Sequence, residues 1–235
     1  MEILRQMNQL TLALGLSDRL DFESFCAGSN ALLVDILKDM ASDKGEHLVF
    51  VWGAKGVGRT HLLNALCNQA SHHKKLSVYL PLSELQLHSP SVLAEISHIP
   101  IICLDDLHSI GGDKLWEEAI FSLYNEMRDK GGRLVISANS VPHRLPIVLQ
   151  DLISRIQAML VFEVLALTDE QKTGALQAYA LHKSFELSDE VAQFILTRGQ
   201  RDMSTLVQII KKLERDSLSN HRKITIPFVK DMMGW

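Results

Sequence analysis

The chain has 235 residues and a formal net charge of -4, so its surface as a whole is not built to grip nucleic acid, and its length allows one large domain or a large one with a small companion. No uncharged apolar run is long enough to span a bilayer, and the start Met1-Glu2-Ile3-Leu4-Arg5-Gln6 lacks the basic and then apolar profile of a secretion signal. Export and membrane insertion are not expected, and Cys26, Cys67 and Cys103, an odd set without metal-type spacing, read as reduced thiols of a cytoplasmic protein.

In chain order, a leader over residues 1–19 carries Gln9-Leu10-Thr11-Leu12-Ala13-Leu14, where alternation puts Leu10, Leu12 and Leu14 on one side of an extended segment. Spacing alone leaves two readings, an edge strand packed on the body or a peptide that docks in a partner's apolar groove. A polar stretch with two aromatics, Asp21 to Asn30, leads into a helix carrying Leu32, Leu33, Ile36, Leu37 and Met40, with Asn30 or Ser29 as its expected cap. Next come the apolar run Leu48 to Trp52, the glycine loop Gly53-Ala54-Lys55-Gly56-Val57-Gly58-Arg59-Thr60, and a helix with Leu62, Leu63, Ala65 and Leu66. His72-His73-Lys74-Lys75 reads as a solvated helix end rather than a metal site with Cys67, because no further ligand pair accompanies it. Strands are expected at Leu76 to Leu80, at Ile99 to Leu104 before Asp105-Asp106, at Leu134 to Ser137 running into Ala138-Asn139, and at Met159 to Leu165. Between them a one-sided stripe of Leu115, Trp116, Ala119, Ile120, Leu123, Tyr124 and Met127 predicts a core-facing helix. Strands alternating with helices imply a parallel sheet covered on both faces. From Thr168 the pattern is helical: a capping box at Thr168 to Gln171, a start at Ser188, and a third helix opened by Asp202 with Met203, Leu206, Ile209, Ile210 and Leu213 on one face. The expected organisation is a leader over 1–19, an α/β nucleotide-binding domain over 20–165 and a small all-helical domain over 166–235.

A strand, a glycine loop and a helix in that order form a phosphate cradle, since successive backbone N–H groups and the positive helix end both face an anion. Gly53, Gly56, Val57, Gly58, Arg59, Thr60 and His61 are its candidate nucleotide-binding residues. Arg59 stands where lysine is expected; its fork grips phosphate but is not a compact point charge, which favours holding nucleotide over turning it over. The Thr60 hydroxyl and Asp105 are candidate Mg²⁺ ligands, and Asp106 is placed to orient or deprotonate a water. Asn139, ending the next strand, is a candidate contact for that water or for a γ-phosphate. Arg155 and Arg201 each fit either a surface ion pair or a phosphate contact.

The glycine loop continuing as Thr60-His61-Leu62-Leu63, the strand ending in Asp105-Asp106, Leu152-Ile153-Ser154-Arg155, Arg201-Asp202-Met203 and Arg222-Lys223-Ile224-Thr225-Ile226 resemble, in order, the AAA+ module of the bacterial replication initiator DnaA, from about Leu20 to Met232. The resemblance implies a P-loop AAA+ sheet domain followed by a helical lid, bound ADP or ATP with Mg²⁺, Asn139 and Arg201 as the two sensor positions, and Arg155 as an arginine finger. An initiator would continue beyond Ile224 to Val229 into a helix-turn-helix domain, and none follows in this sequence. Gln9, Leu10, Leu12 and Leu14 are similar to the peptide by which proteins dock on the β sliding clamp of DNA polymerase III, with Ala13 as the departure. The expectation is a negative regulator of chromosomal replication initiation, with ADP favoured, that meets DNA only through the clamp and stimulates hydrolysis of DnaA-bound ATP; whether it forms a homo-oligomer is left open. Two alternatives stand beside it: a DnaC-like helicase loader with its own ATPase, and a nucleotide-stabilised interaction module.

Overall fold

The computed structural model describes residues 20–183, 185–200, 202–220 and 224–235; the leader residues Gln9, Leu10, Leu12 and Leu14, and Arg201, lie outside them. Five parallel strands, β1 (Leu48–Trp52), β2 (Ser77–Pro81), β3 (Ile101–Asp105), β4 (Arg133–Ala138) and β5 (Leu160–Glu163), form a sheet of order β2-β3-β4-β1-β5. The central strands β3 and β4 are buried along their whole length, as their apolar stretches 101–104 and 134–136 require, whereas edge strand β5 alternates between half-buried and exposed.

Period-two geometry divides each strand between two cores. Phe50, Ile102, Leu104, Leu134 and Ile136 face one core, with Trp116, Ile120, Leu123, Leu152 and Ile156. Val49, Val51, Ile101, Cys103 and Val135 face the other, with Leu33, Leu37, Leu62, Leu63 and Leu66. The second face is thus covered by α1 (Ala31–Ala41) and α2 (Arg59–His72), and the first by short α3 (Leu82–Leu85) and α4 (Val92–Ile96), long α5 (Lys114–Lys130) and α6 (Gln150–Gln157). Full burial of each Leu or Phe here stabilises by roughly 1.5–3 kcal/mol, so a single Phe50→Ala change would cost about 3–5 kcal/mol.

A third core belongs to α7 (Asp169–His182), α8 (Asp189–Arg198), α9 (Met203–Asn220) and α10 (Ile226–Met233), centred on Leu176, Ile195, Leu206, Ile210, Leu213 and Val229. Its helix starts follow the sequence. Thr168 and Gln171 form a reciprocal capping box, and Ser188 accepts the Val191 N–H.

Three expectations need correction. Asn30 does not cap α1 through its side chain; its amide instead donates to the Leu165 carbonyl at 3.0 Å and its oxygen accepts the Leu165 N–H at 2.8 Å. Leu115, assigned to the core-facing stripe of α5, and Leu32, named among the apolar residues of α1, are 67% and 65% exposed because each falls just off the core-facing arc of its helix. On the buried side of α5 stands a carboxylate instead, Glu117, which is fully buried.

Candidate nucleotide site

The glycine loop leaves β1 at Trp52 and ends at the first turn of α2, whose leading N–H groups have no partner within the helix. A Cβ on Gly53 would lie 2.8 Å from the Val164 carbonyl oxygen and 2.9 Å from Val57, so only glycine fits between β1 and the exit of β5. Gly58 turns the chain into α2 at φ +104, with the Phe25 ring packed where a side chain would stand. His61, one turn into α2, binds the Asp21 carbonyl through Nε2 at 2.8 Å and meets Phe25 edge to face at 5.3 Å. Burial lowers its pKa, so the ring is neutral and the Nε2–H donates. The His61 side chain is thus committed to the segment leading into the fold.

Below the loop, the structure gathers residues from four elements. The Thr60 hydroxyl donates to Asp105 Oδ2 at 2.6 Å, and the Tyr79 hydroxyl donates to the same oxygen at 2.8 Å. Ser137 donates to Asp105 Oδ1 and accepts the Asp106 N–H at 3.0 Å. Burial and the nearby Asp105 charge push the Tyr79 phenol well above its usual range, which keeps it a donor. Arg59, 9% exposed, donates from Nη1 to Asp106 Oδ1 at 2.8 Å. Asp106 sits in the left-handed region at φ +58, which turns its carboxylate toward the loop as β3 ends. His108 Nδ1 lies 3.9 Å from Asp106 and accepts the Asn139 N–H at 3.3 Å. Its pKa is lowered, chiefly by burial, so the neutral ring serves as that acceptor.

Asp105 with Thr60 forms an all-oxygen donor set at the strand end, the chemistry of a Mg²⁺ shell completed by phosphates and water. Among the described residues no cluster of three His, Cys, Asp or Glu side chains exists, so no closed protein cage competes with that reading. The lid reaches the loop through Asp202, whose Cβ would lie 2.5 Å from a Cβ on Gly56, itself at φ +83. Burial would raise the Asp202 pKa, but hydrogen bonds from Thr205 and the Lys55 charge outweigh it and hold the carboxyl low.

The expected residues therefore divide by position. Gly53, Gly56, Val57, Gly58, Arg59, Thr60, Asp105 and Asp106 come together around the loop, and Asn139 borders them with its backbone. Arg155 stands apart on α6, its guanidinium 5.9 Å above the Phe121 ring. Sequence reasoning missed Tyr79, Ser137 and His108. Ser137, the one hydroxyl in the apolar run of β4, carried the only local signal of the three.

A parallel sheet of this order, a glycine loop between β1 and α2, a strand-end acid pair and a helical lid define a P-loop ATPase module of the AAA+ class. Residues 16–163 match the bacterial DnaA ATPase domain, and residues 169–233 match the lid domain of Hda. The chain belongs to the DnaA-type ATPase family, with an Hda-type lid. An uncharacterized protein of Haemophilus influenzae is 40% identical over 227 residues, covering 96% of this chain and 98% of that one. Domain III of the Thermotoga maritima replication initiation protein DnaA superposes with a TM-score of 0.80 at 21% identity, covering 94% of this chain and 98% of that one. AMPPCP-bound DnaA from Aquifex aeolicus does so at 0.70 and 19%, over 88% of this chain and 71% of its own. Among the described residues no helix is long and apolar enough to cross a membrane.

Proposed function

We propose that this protein is a nucleotide-bound regulator of replication initiation that stimulates hydrolysis of DnaA-bound ATP by supplying Arg155 in trans. The family matches support a replication-related AAA+ protein, and AMPPCP-bound DnaA supports a nucleotide in the glycine loop. One observation carries the finger reading. Arg59, the loop's own arginine, is tied to Asp106, whereas Arg155 forms no ion pair among the described residues and is half-buried over Phe121. An arginine with no ion pair among the described residues is available to a partner's phosphoryl group, where such a finger accelerates hydrolysis by about 10³ to 10⁵.

In this reading the loop N–H groups bind the phosphates of ADP or ATP, Arg59 is the side chain that a third phosphate would reach, and Arg201 contacts the phosphates from the lid, which packs Asp202 against Gly56. Thr60 and Asp105 would hold Mg²⁺, which supplies neutralisation of phosphate charge when bound. Asp106, with Asn139 beside it, would orient a water in the protein's own site. The leader's Gln9, Leu10, Leu12 and Leu14 tether the protein to the β sliding clamp, which raises its effective concentration near DnaA on replicated DNA. The intact Thr60–Asp105 pair beside Asp106 favours a second reading, an autonomous ATPase such as a helicase loader.

The test is turnover of ATP pre-bound to cognate DnaA with DNA-loaded clamp, comparing wild type, Arg155→Ala and Leu12→Ala. Acceleration that both variants lose supports finger and tether together. Unchanged turnover, with hydrolysis by this protein alone that depends on Asp106, establishes the second reading instead.

A further inference from the structure

Arg59 and Asp106 neutralise each other inside the site meant for phosphate. Their contact is 2.8 Å, with side chains 10% and 32% exposed, so the pair is largely shielded from water. Each partner is fixed from behind. Arg59 is the first residue of α2, and the Asp106 N–H is pinned to the Ser137 hydroxyl at 3.0 Å. The carboxylate also faces His108, but that ring is neutral and offers no competing charge. The loop's arginine is therefore already occupied, and by the residue assigned to orient water.

A phosphate chain cradled only by backbone N–H groups leaves this pair intact. A longer chain must either draw the guanidinium away from Asp106 or lie beside a carboxylate that repels it. Either route costs free energy that the shorter chain does not incur. We propose that the Arg59–Asp106 ion pair is a latch that discriminates nucleotides by the length of their phosphate chain, closed over a diphosphate and opened only by a third phosphate. This rests on the nucleotide-binding reading of the loop, and it assigns the discrimination to two residues that work by competing for one guanidinium.

The experiment is a double-mutant cycle on the full chain, with dissociation constants for Mg-ADP and Mg-AMPPCP in wild type, Arg59→Ala, Asp106→Asn and the double variant. Removing the Asp106 charge weakens repulsion in any background, so the informative quantity is the difference between backgrounds. With a latch, Asp106→Asn tightens AMPPCP binding on the order of tenfold more when Arg59 is present than when it is Ala, the scale of one charge-assisted hydrogen bond. For ADP the two gains are equal. Equal gains for AMPPCP in both backgrounds reduce the effect to simple repulsion and overturn the latch, as does the same coupling for both nucleotides. A wild type that binds ADP while either result holds leaves the nucleotide site standing; a wild type that binds neither removes the site and the latch together. Urea unfolding of the same four proteins without nucleotide gives a second readout, because the closed pair must appear as coupling in the free protein. Its absence also sinks the proposal.

Discussion

Glu117 Oε2 accepts the N–H of Leu149 at 2.7 Å, which ties the middle of the molecule to the start of the helix that carries Arg155. The same carboxylate accepts the Val148 N–H at 3.0 and 3.1 Å and the Gly112 N–H at 2.8 Å. Leu149 is the N-cap of α6 and contributes no side-chain cap, so Glu117 satisfies backbone donors that α6 cannot satisfy itself. Gly112 lies just beyond the short turn Leu107–Ile110 that follows Asp106, so one buried carboxylate fixes the chain after the acid pair and the chain before Arg155.

Glu117→Gln keeps the shape but turns one acceptor into a donor facing N–H groups. It is expected to destabilise by about 2 kcal/mol, the cost of a buried unsatisfied donor, and Glu117→Ala by more. Urea unfolding measures both. A loss below about 0.5 kcal/mol for Gln would mean that the loops at 112 and 148 do not depend on this cage.

A second expectation concerns the loop. Gly58 has φ +104, and a Cβ there would lie 2.7 Å from Phe25 Cε2, so Gly58→Ala meets a torsional and a steric obstacle. A destabilisation of about 2 kcal/mol is expected, with weakened nucleotide binding because the N–H groups of the loop shift. Adding Phe25→Ala removes the steric part and leaves the torsional one, at the cost of the Phe25–His61 ring contact. Partial recovery of nucleotide affinity in the double variant is the outcome expected from this geometry, and full recovery would show that torsion at Gly58 costs nothing.

Much of the site was legible because phosphate chemistry is local in sequence. The loop, its flanking strand and helix, and the acid pair are each contiguous, and the capping box at Thr168 and the cap at Ser188 were equally local. What stayed hidden depends on contacts across the fold. Asn30 looked like a cap from its neighbours, yet its amide is spent 135 residues away on Leu165, where β5 leaves the sheet. Tyr79 and Ser137 join Asp105 only because β2 and β4 flank β3. Glu117 sits among apolar neighbours on α5, and nothing in its period distinguishes a caged carboxylate from an exposed one until residues 112 and 148 are brought to it.

The last expectation is a pH dependence. His61 has its pKa lowered from 6.5, chiefly by burial, with the Asp21 carbonyl and charge opposing the shift. A histidine whose folded pKa lies below its unfolded one binds fewer protons when folded, so stability rises with pH where the two states differ. The contribution of the neutral ring is therefore complete above about 6.5 and declines as pH falls through the unfolded value, with a slope of at most about 1.4 kcal/mol per pH unit from this group. His108, also lowered by burial, adds a decline of the same sign. His61→Gln retains a donor for the Asp21 carbonyl but cannot charge. Unfolding free energies of the wild type and this variant, measured from pH 8 to pH 5, are expected to run parallel above about 7 and to diverge below 6.5, with the wild type losing more. Parallel curves throughout would mean that His61 accepts a proton in the folded protein as readily as in the unfolded chain, and that its bond to Asp21 does not hold the leading segment through the neutral ring.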